Sequence, residues 1–165
     1  MTIQQQLELL KQGSNAWNTW RQQNPSEQVD LHETDLSNSN LSSANLSRVN
    51  LTGAAISGAN LSKADLSWSI MIGADLRKAD VSEANLTSAD LSGADATEAN
   101  FTRANFTNAV LIDTNFIDAD LSEANFAGAD LTGAYLKEAN LRGALITQIQ
   151  LDKARAPEEF PPAHP

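Results

Sequence analysis

Carboxylates are the side chains in this sequence best equipped for chemistry, with 21 Asp plus Glu against 11 Lys plus Arg and a formal net charge of −10. Their placement is regular. From Leu31 to Leu151 every fifth residue is an apolar centre, and nine of the 25 positions just before a centre are Asp, Asp75 and Asp95 among them. Neighbouring carboxylates can share a proton in acid-base work or bind a hard cation. The remaining chemical vocabulary is thin. There is no Cys, hence no thiolate, disulfide framework or zinc-thiolate site. Only 2 His occur, His32 and His164, which leaves the middle of the chain without a Ser/His/Asp arrangement or a His-rich metal site. The calcium-binding repeat GGxGxDx is also missing.

The elements that carry these carboxylates follow from the period of five. All 25 centres keep phase, and each sits in a unit such as Ala44-Asn45-Leu46-Ser47-Arg48 or Ala124-Asn125-Phe126-Ala127-Gly128. Five residues advance an α-helix by about 500°, so successive centres would spiral and build no face. On a straight strand an odd spacing sends Leu31 to one side and Leu36 to the other. A chain that turns the same way after every unit aims each centre, and the small residue two before it, at one axis. The result is a solenoid.

The uninterrupted A(D/N)LSx motif, over about three quarters of the chain, resembles the pentapeptide-repeat family. The resemblance implies an all-β solenoid, a right-handed quadrilateral parallel β-helix with four pentapeptides per coil. Stacked at about 4.8 Å, the units would make roughly six coils and a rod about 30 Å long. Residues twenty apart then share a column. Asp75 stacks with Asp95, but on a convex surface with no pocket to exclude water, so no catalytic, cofactor-binding or metal-binding residue is assigned and no enzyme is expected. Asp, Asn and Gly are read as servants of the turns, through local hydrogen bonds and tolerance of unusual φ. The column Lys63, Glu83, Arg103, Glu123 reads as a ladder of weak ion pairs. Ala96 is the one centre too small for its place, and Phe101, Phe106 and Phe116 surround it as compensation.

The flanks divide the chain into an N-terminal helical cap (1–24), the repeat (25–155) and a Pro-rich tail (156–165). Thr2 and Gln5 suit a capping box, followed by Ile3, Leu7, Leu10, Trp17 and Trp20 near helical spacing. Gly13-Ser14 is a division point, with Ser14 as cap of a second short helix. Leu7, Leu10, Trp17 and Trp20 are expected to cover the open first coil, whose strand edges invite association. The string Ala16-Trp17-Asn18-Thr19-Trp20-Arg21 is similar to a segment preceding the repeats in many cyanobacterial members of the family. After Asn140 the pattern loosens, and no helix of useful length is expected to follow the last coil as a cap. Lys153-Ala154-Arg155 closes the last coil; three alternatives stand for the end, a tail that plugs it with Phe160, a tail that stays disordered, or a second copy that covers it through Leu145, Ile149 and Leu151. The protein is thus read as a monomer or a homodimer.

Acidity, with pI ≈ 4.4, argues against direct contact with nucleic acid or an anionic membrane. The longest apolar run falls short of a membrane span, and three consecutive Gln stand where a signal peptide would be apolar, so a cytoplasmic location is expected. One face breaks the polar rule. Ile70 and Val110 replace Asp or Asn before their centres, Ile72 and Ile112 replace Ser or Thr after them, and Trp68 and Ile117 border them. Either these side chains tuck against neighbouring corners or they form an apolar patch for an unknown protein partner. The leading reading is a non-enzymatic interaction scaffold, as for members that the family resemblance links to cyanobacterial cell differentiation, with a stress-related structural role as a third possibility. The rival is mimicry of DNA, since some acidic members bind DNA gyrase. About 30 Å of duplex carries roughly 18 charges, whereas residues 30–155 hold 17 acidic and 9 basic side chains, a net of −8.

Overall fold

A computed structural model of the protein describes residues 1–155, so the tail and the expected Phe160 plug lie outside the described residues. Two helices, α1 (Ile3–Lys11) and α2 (Ser14–Gln23), precede the repeat, and a short α3 (Gln148–Lys153) interrupts its end. Between them, twenty isolated parallel bridges join residues twenty apart, from Asp30 with Asn50 to Asn125 with Leu145. The bridges fall into four columns, beginning at Asp30, Asp35, Asn40 and Asn45, and these define the first to fourth faces of a parallel β-helix.

Each pentapeptide closes the same way. The centre's carbonyl accepts from the amide three residues on, as for Ala54 N–H to Leu51 O at 3.0 Å. The centre's amide donates across to the following coil, as for Leu31 to Asn50 O at 2.8 Å. The third residue of every turn has positive φ, the signature of a type II turn. Sixteen of these residues are not Gly, from Glu33 (φ 54°) to Glu138 (φ 58°), each costing about 1–2 kcal/mol of backbone strain. Cross-coil hydrogen bonds from the corner amides, from Glu33 to Thr52 O through Glu123 to Arg142 O, offset that cost.

Asp and Asn before the centres serve a different purpose from Gly in the turns. Their Oδ1 accepts from the amide two residues on, and from its Ser or Thr hydroxyl, as Asn85 does from Thr87 at 3.2 and 2.7 Å. Where Asn follows Asp by one coil, its amide group donates back, as Asn50 to Asp30 (2.9 Å) and Asn140 to Asp120 (3.1 Å). One oxygen of each of these carboxylates is thereby committed to the fold.

Inside, the centres and their small partners form one continuous buried core from Leu31 to Ala134. Ala96 is fully buried there beside an aromatic group. Phe101 lies 5.3 Å from Phe106 and 5.6 Å from Phe116, and Phe106 stacks on Phe126 at 5.0 Å. The expected volume compensation is therefore present as a packed ring cluster.

Thr2 and Gln5 make the expected reciprocal capping box on α1. Ser14 departs from expectation: α2 has Gly13 at its N-cap with no side-chain cap bond, and the Ser14 hydroxyl instead donates to Ser42 O at 2.6 Å. It is the first of four α2 side chains aimed at the first coil's free edge along the third and fourth faces. Trp17 Nε1 donates to Asn45 O at 2.8 Å and Arg21 to Ser47 O at 2.7 Å. Asn18 donates to Ser43 O and accepts from the Asn45 amide at 2.7 Å. Helical side chains at positions 14, 17, 18 and 21 thus take the place of a preceding strand. Trp17, fully buried, and half-buried Trp20, with rings 5.3 Å apart, pack over the core with Leu7 and Leu10.

The C-terminal reading needs a correction. Residues 148–153 form α3 inside what the period assigned to the repeat, with its own capping box from Thr147 and Gln150. Leu151 is therefore a helical residue, half-buried rather than a core centre. After α3 the chain rejoins the ladder, with Lys153 O accepting from Gly133 and Arg155 N–H donating to Ala134 O, both at 2.9 Å.

Candidate functional site

The first face carries the side chains that break the repeat's polar rule. Trp68 is 58% exposed, Ile70 43% and Ile72 42%. These three consecutive outward positions cross the face within one coil. Val110 and Ile112, two coils on in the same columns, are half-buried, as is Ile117 on the adjoining second face. The tucked arrangement thus describes Val110, Ile112 and Ile117 better than Trp68, Ile70 and Ile72. Between the two apolar rows lies Asp90, whose Oδ1 accepts from the Ser92 amide and hydroxyl at 3.0 and 2.6 Å. Asp130 beyond Val110 is held the same way by Thr132. Each leaves Oδ2 without a hydrogen-bond donor among the described residues.

The borders of the face differ in height. Trp68 stands on the corner shared with the fourth face, with Arg48's guanidinium 6.0 Å from its ring centroid. The opposite corner carries Gly73 and Gly93, where an added Cβ would meet no atom within 4 Å. Toward the N-terminus the face runs into a groove of about 630 Å³ lined by Arg21, Pro25, Glu27, Arg48, Trp68 and Ile70. No sequence signal marked this groove, because Pro25 and Glu27 reach it from the linker.

The carboxylate pair singled out for chemistry is committed elsewhere. Asp75 accepts from Arg77 at 2.6 and 2.8 Å, which holds its carboxyl below the ordinary range. That is the opposite of what a proton donor near neutrality requires. Asp95 accepts from the Thr97 hydroxyl at 2.6 Å and from Asn115 at 3.3 Å. Among the described residues no group of His, Asp and Glu has the arrangement of a metal site, and no helix is long and apolar enough to cross a membrane. The expected charge ladder is tightest in two contact pairs, with Glu83 acting on Arg103 between them at longer range. Lys63 meets Glu83 at 4.0 Å and Arg103 meets Glu123 at 2.8 Å, as separate exposed pairs.

At the far end of the rod, Leu145 is 66% and Ile149 71% exposed. Ile149 is presented by α3 and Leu145 by the last bridged position of the fourth face.

The sequence model described as "Pentapeptide repeats" matches residues 30–67, 50–87, 84–122 and 109–148. Among solved structures, a pentapeptide repeat protein from the Arabidopsis thaliana thylakoid lumen is 32% identical, with 73% of each chain covered and a TM-score of 0.26. HetL of Nostoc sp., a pentapeptide repeat protein involved in heterocyst differentiation regulation, is 25% identical over 85% of this chain and 96% of its own, with a TM-score of 0.23. QnrB1, a plasmid-mediated fluoroquinolone resistance protein, is 17% identical over 74% of this chain and 89% of its own, with a TM-score of 0.41. Curated protein sequences return no match.

Proposed function

This chain belongs to the pentapeptide-repeat family of right-handed β-helices, and on that premise we propose that it is a non-enzymatic binding module whose first face docks a protein partner. The observation that carries the reading is the exposure of Trp68, Ile70 and Ile72 together on a fold that mostly places Asp or Asn where Ile70 stands, Ser or Thr where Ile72 stands, and small or charged residues where Trp68 stands. Three large apolar side chains in a row on a rigid surface make a desolvatable centre, and the surrounding hydroxyls and carboxylates make a polar rim. Rigidity favours the reading further, since a preformed face loses little entropy on binding.

In this reading the rod consists of about six coils of four pentapeptides, supported by the twenty-residue offset of every bridge. The helices α1 and α2 act as its N-terminal cap. Support comes from the four α2 side chains that satisfy the first coil's edge, which would otherwise template strand addition. The C-terminal end is the second surface in the proposal. A homodimer through Leu145 and Ile149 would be lost in Ile149→Asp, read as a change from dimer to monomer mass by light scattering; a monomeric wild type would end that part of the proposal.

Mimicry of DNA fits the charge pattern less well. Five of the repeat's carboxylates already face a basic side chain: Asp75, Glu83, Glu98, Asp113 and Glu123. A surface paired in this way presents little of the uniform field of a phosphate backbone.

The test is a pull-down from the native host's lysate with wild type beside an Ile70→Asp/Ile112→Asp variant of unchanged circular dichroism. A protein enriched by wild type and lost with the variant supports the binding module. A topoisomerase recovered equally by both forms, with retention falling steeply as salt rises, would replace it with mimicry.

A further inference from the structure

From its second coil on, the first face alternates along the rod axis. After Asp30 and His32 in the first coil, its bridged column reads Asn50, Ile70, Asp90, Val110, Asp130, and the column beside it reads Thr52, Ile72, Ser92, Ile112, Thr132. The two apolar rows therefore lie two coils, about 9.6 Å, apart, with a carboxylate midway, about 4.8 Å from each. None of these ten positions is basic. Between the two apolar rows the Oδ2 of Asp90 still awaits a donor, whereas Asp130, its carboxyl held below the ordinary range by Thr132, already lies in the field of Lys153, which helps hold it there.

From this spacing and charge we infer that the occupant of the first face is a basic amphipathic α-helix lying along the rod; the inference rests on the reading of that face as a docking site. Seven residues of α-helix rise about 10.5 Å, within about 1 Å of two coils. Three to four residues rise about 4.5–6 Å, which brings an intervening Lys or Arg over Asp90 and the next over Asp130. An extended strand laid the same way repeats its side chains every 6.6–6.8 Å or so, out of step with the rows. The bare corner at Gly73 and Gly93 leaves room for a helix about 10 Å wide to overhang the Ile72 side. Trp68 then forms its opposite wall.

The test uses a labelled synthetic helix of about 21 residues, with Leu at every seventh position and Arg midway between, beside a version with Glu in place of each Arg. Fluorescence anisotropy gives affinity, and the emission of Trp68, checked against Trp68→Phe, reports where the peptide sits. The Arg peptide is expected to bind wild type and shift Trp68 emission to the blue. Its affinity should fall about tenfold or more for Ile70→Asp/Ile112→Asp and about fivefold for Asp90→Asn/Asp130→Asn, with the Glu peptide not bound. Equal affinity for wild type and the isoleucine variant would mean general attraction to an acidic rod and would overturn the inference. So would tighter binding of the Glu peptide. If a cellular partner depends on Ile70 and Ile112 while the Arg peptide fails to bind, the basic helix is refuted and the docking face stands.

Discussion

Replacing Trp17 by Phe tests whether α2 substitutes for a missing coil. The change keeps an aromatic ring in a fully buried position but removes the donor that reaches the Asn45 carbonyl at 2.8 Å. A buried acceptor left without a partner costs about 1–3 kcal/mol, and roughly 40 Å² less buried ring surface adds about 1 kcal/mol. The sum is about 2–4 kcal/mol. In a stacked array each coil is held by its neighbours, so this loss belongs to the first coil and fades along the rod. Native-state hydrogen exchange reads it directly. The amides of Leu31, Leu36, Leu41 and Leu46, which donate to the second coil, should exchange roughly 30- to 1,000-fold faster at tenfold per 1.4 kcal/mol. Those of Phe101 and Phe106 should be unchanged. Unaltered exchange in the first coil would refute the account of α2. A uniform acceleration along the whole rod would instead refute the nearest-neighbour picture of its stability.

Ser69 is buried in the coil of Ile70 with no partner for its hydroxyl, at a position where most units carry Ala. Ser69→Ala should therefore raise stability by about 1 kcal/mol, read as a higher midpoint in urea at unchanged slope. Ala96→Leu should cost about 1–3 kcal/mol by overpacking the Phe cluster, and Phe116→Leu in the same chain should recover much of that loss; additive losses would show that the two sites do not share space. His32 Nδ1–H donates to the Asp30 carboxylate at 2.8 Å, and the pair raises the imidazole pKa and lowers the carboxyl pKa. The histidine's contribution is thus complete below its unfolded value of about 6.5 and lost as pH rises through the raised folded value. The aspartate's is complete above about 3.9 and lost as pH falls through its lowered value. An NMR titration should find the His32 midpoint above 6.5, returning toward it in Asp30→Asn; the same midpoint in both proteins would deny the pairing.

The core was legible because a period of five admits one continuous apolar axis, and every centre from Leu31 to Leu131 is buried on it. The helix at the N-terminus was legible through Thr2 and Gln5. Its chemistry was not, because Ser14, Asn18 and Arg21 act on backbone groups 25–28 residues away, and carbonyls leave no mark in a sequence. α3 escaped for a different reason. Ile146 and Leu151 keep the phase of the repeat, which hid the Thr147–Gln150 capping box, although the same signal revealed α1. At the first face and its borders the sequence singled out six apolar side chains but not their heights. Whether Ile112 or Ile72 stands proud depends on neighbours twenty residues away, and only the stacked chain displays them.

The twenty-residue offset of the bridges has a consequence for how such a chain can change. Inserting one five-residue unit anywhere in the repeat leaves every later centre on the axis, so the core accepts it. The same insertion turns everything downstream by about a quarter of a revolution, and an insertion between Ile72 and Val110 would send Val110 and Ile112 to the next side of the rod. Only a gain or loss of twenty residues keeps the two rows aligned, and it shifts their separation by one coil, about 4.8 Å. Folding thus tolerates single-unit edits that would scramble the surface, which makes the register of the outside a record of selection that the inside cannot supply.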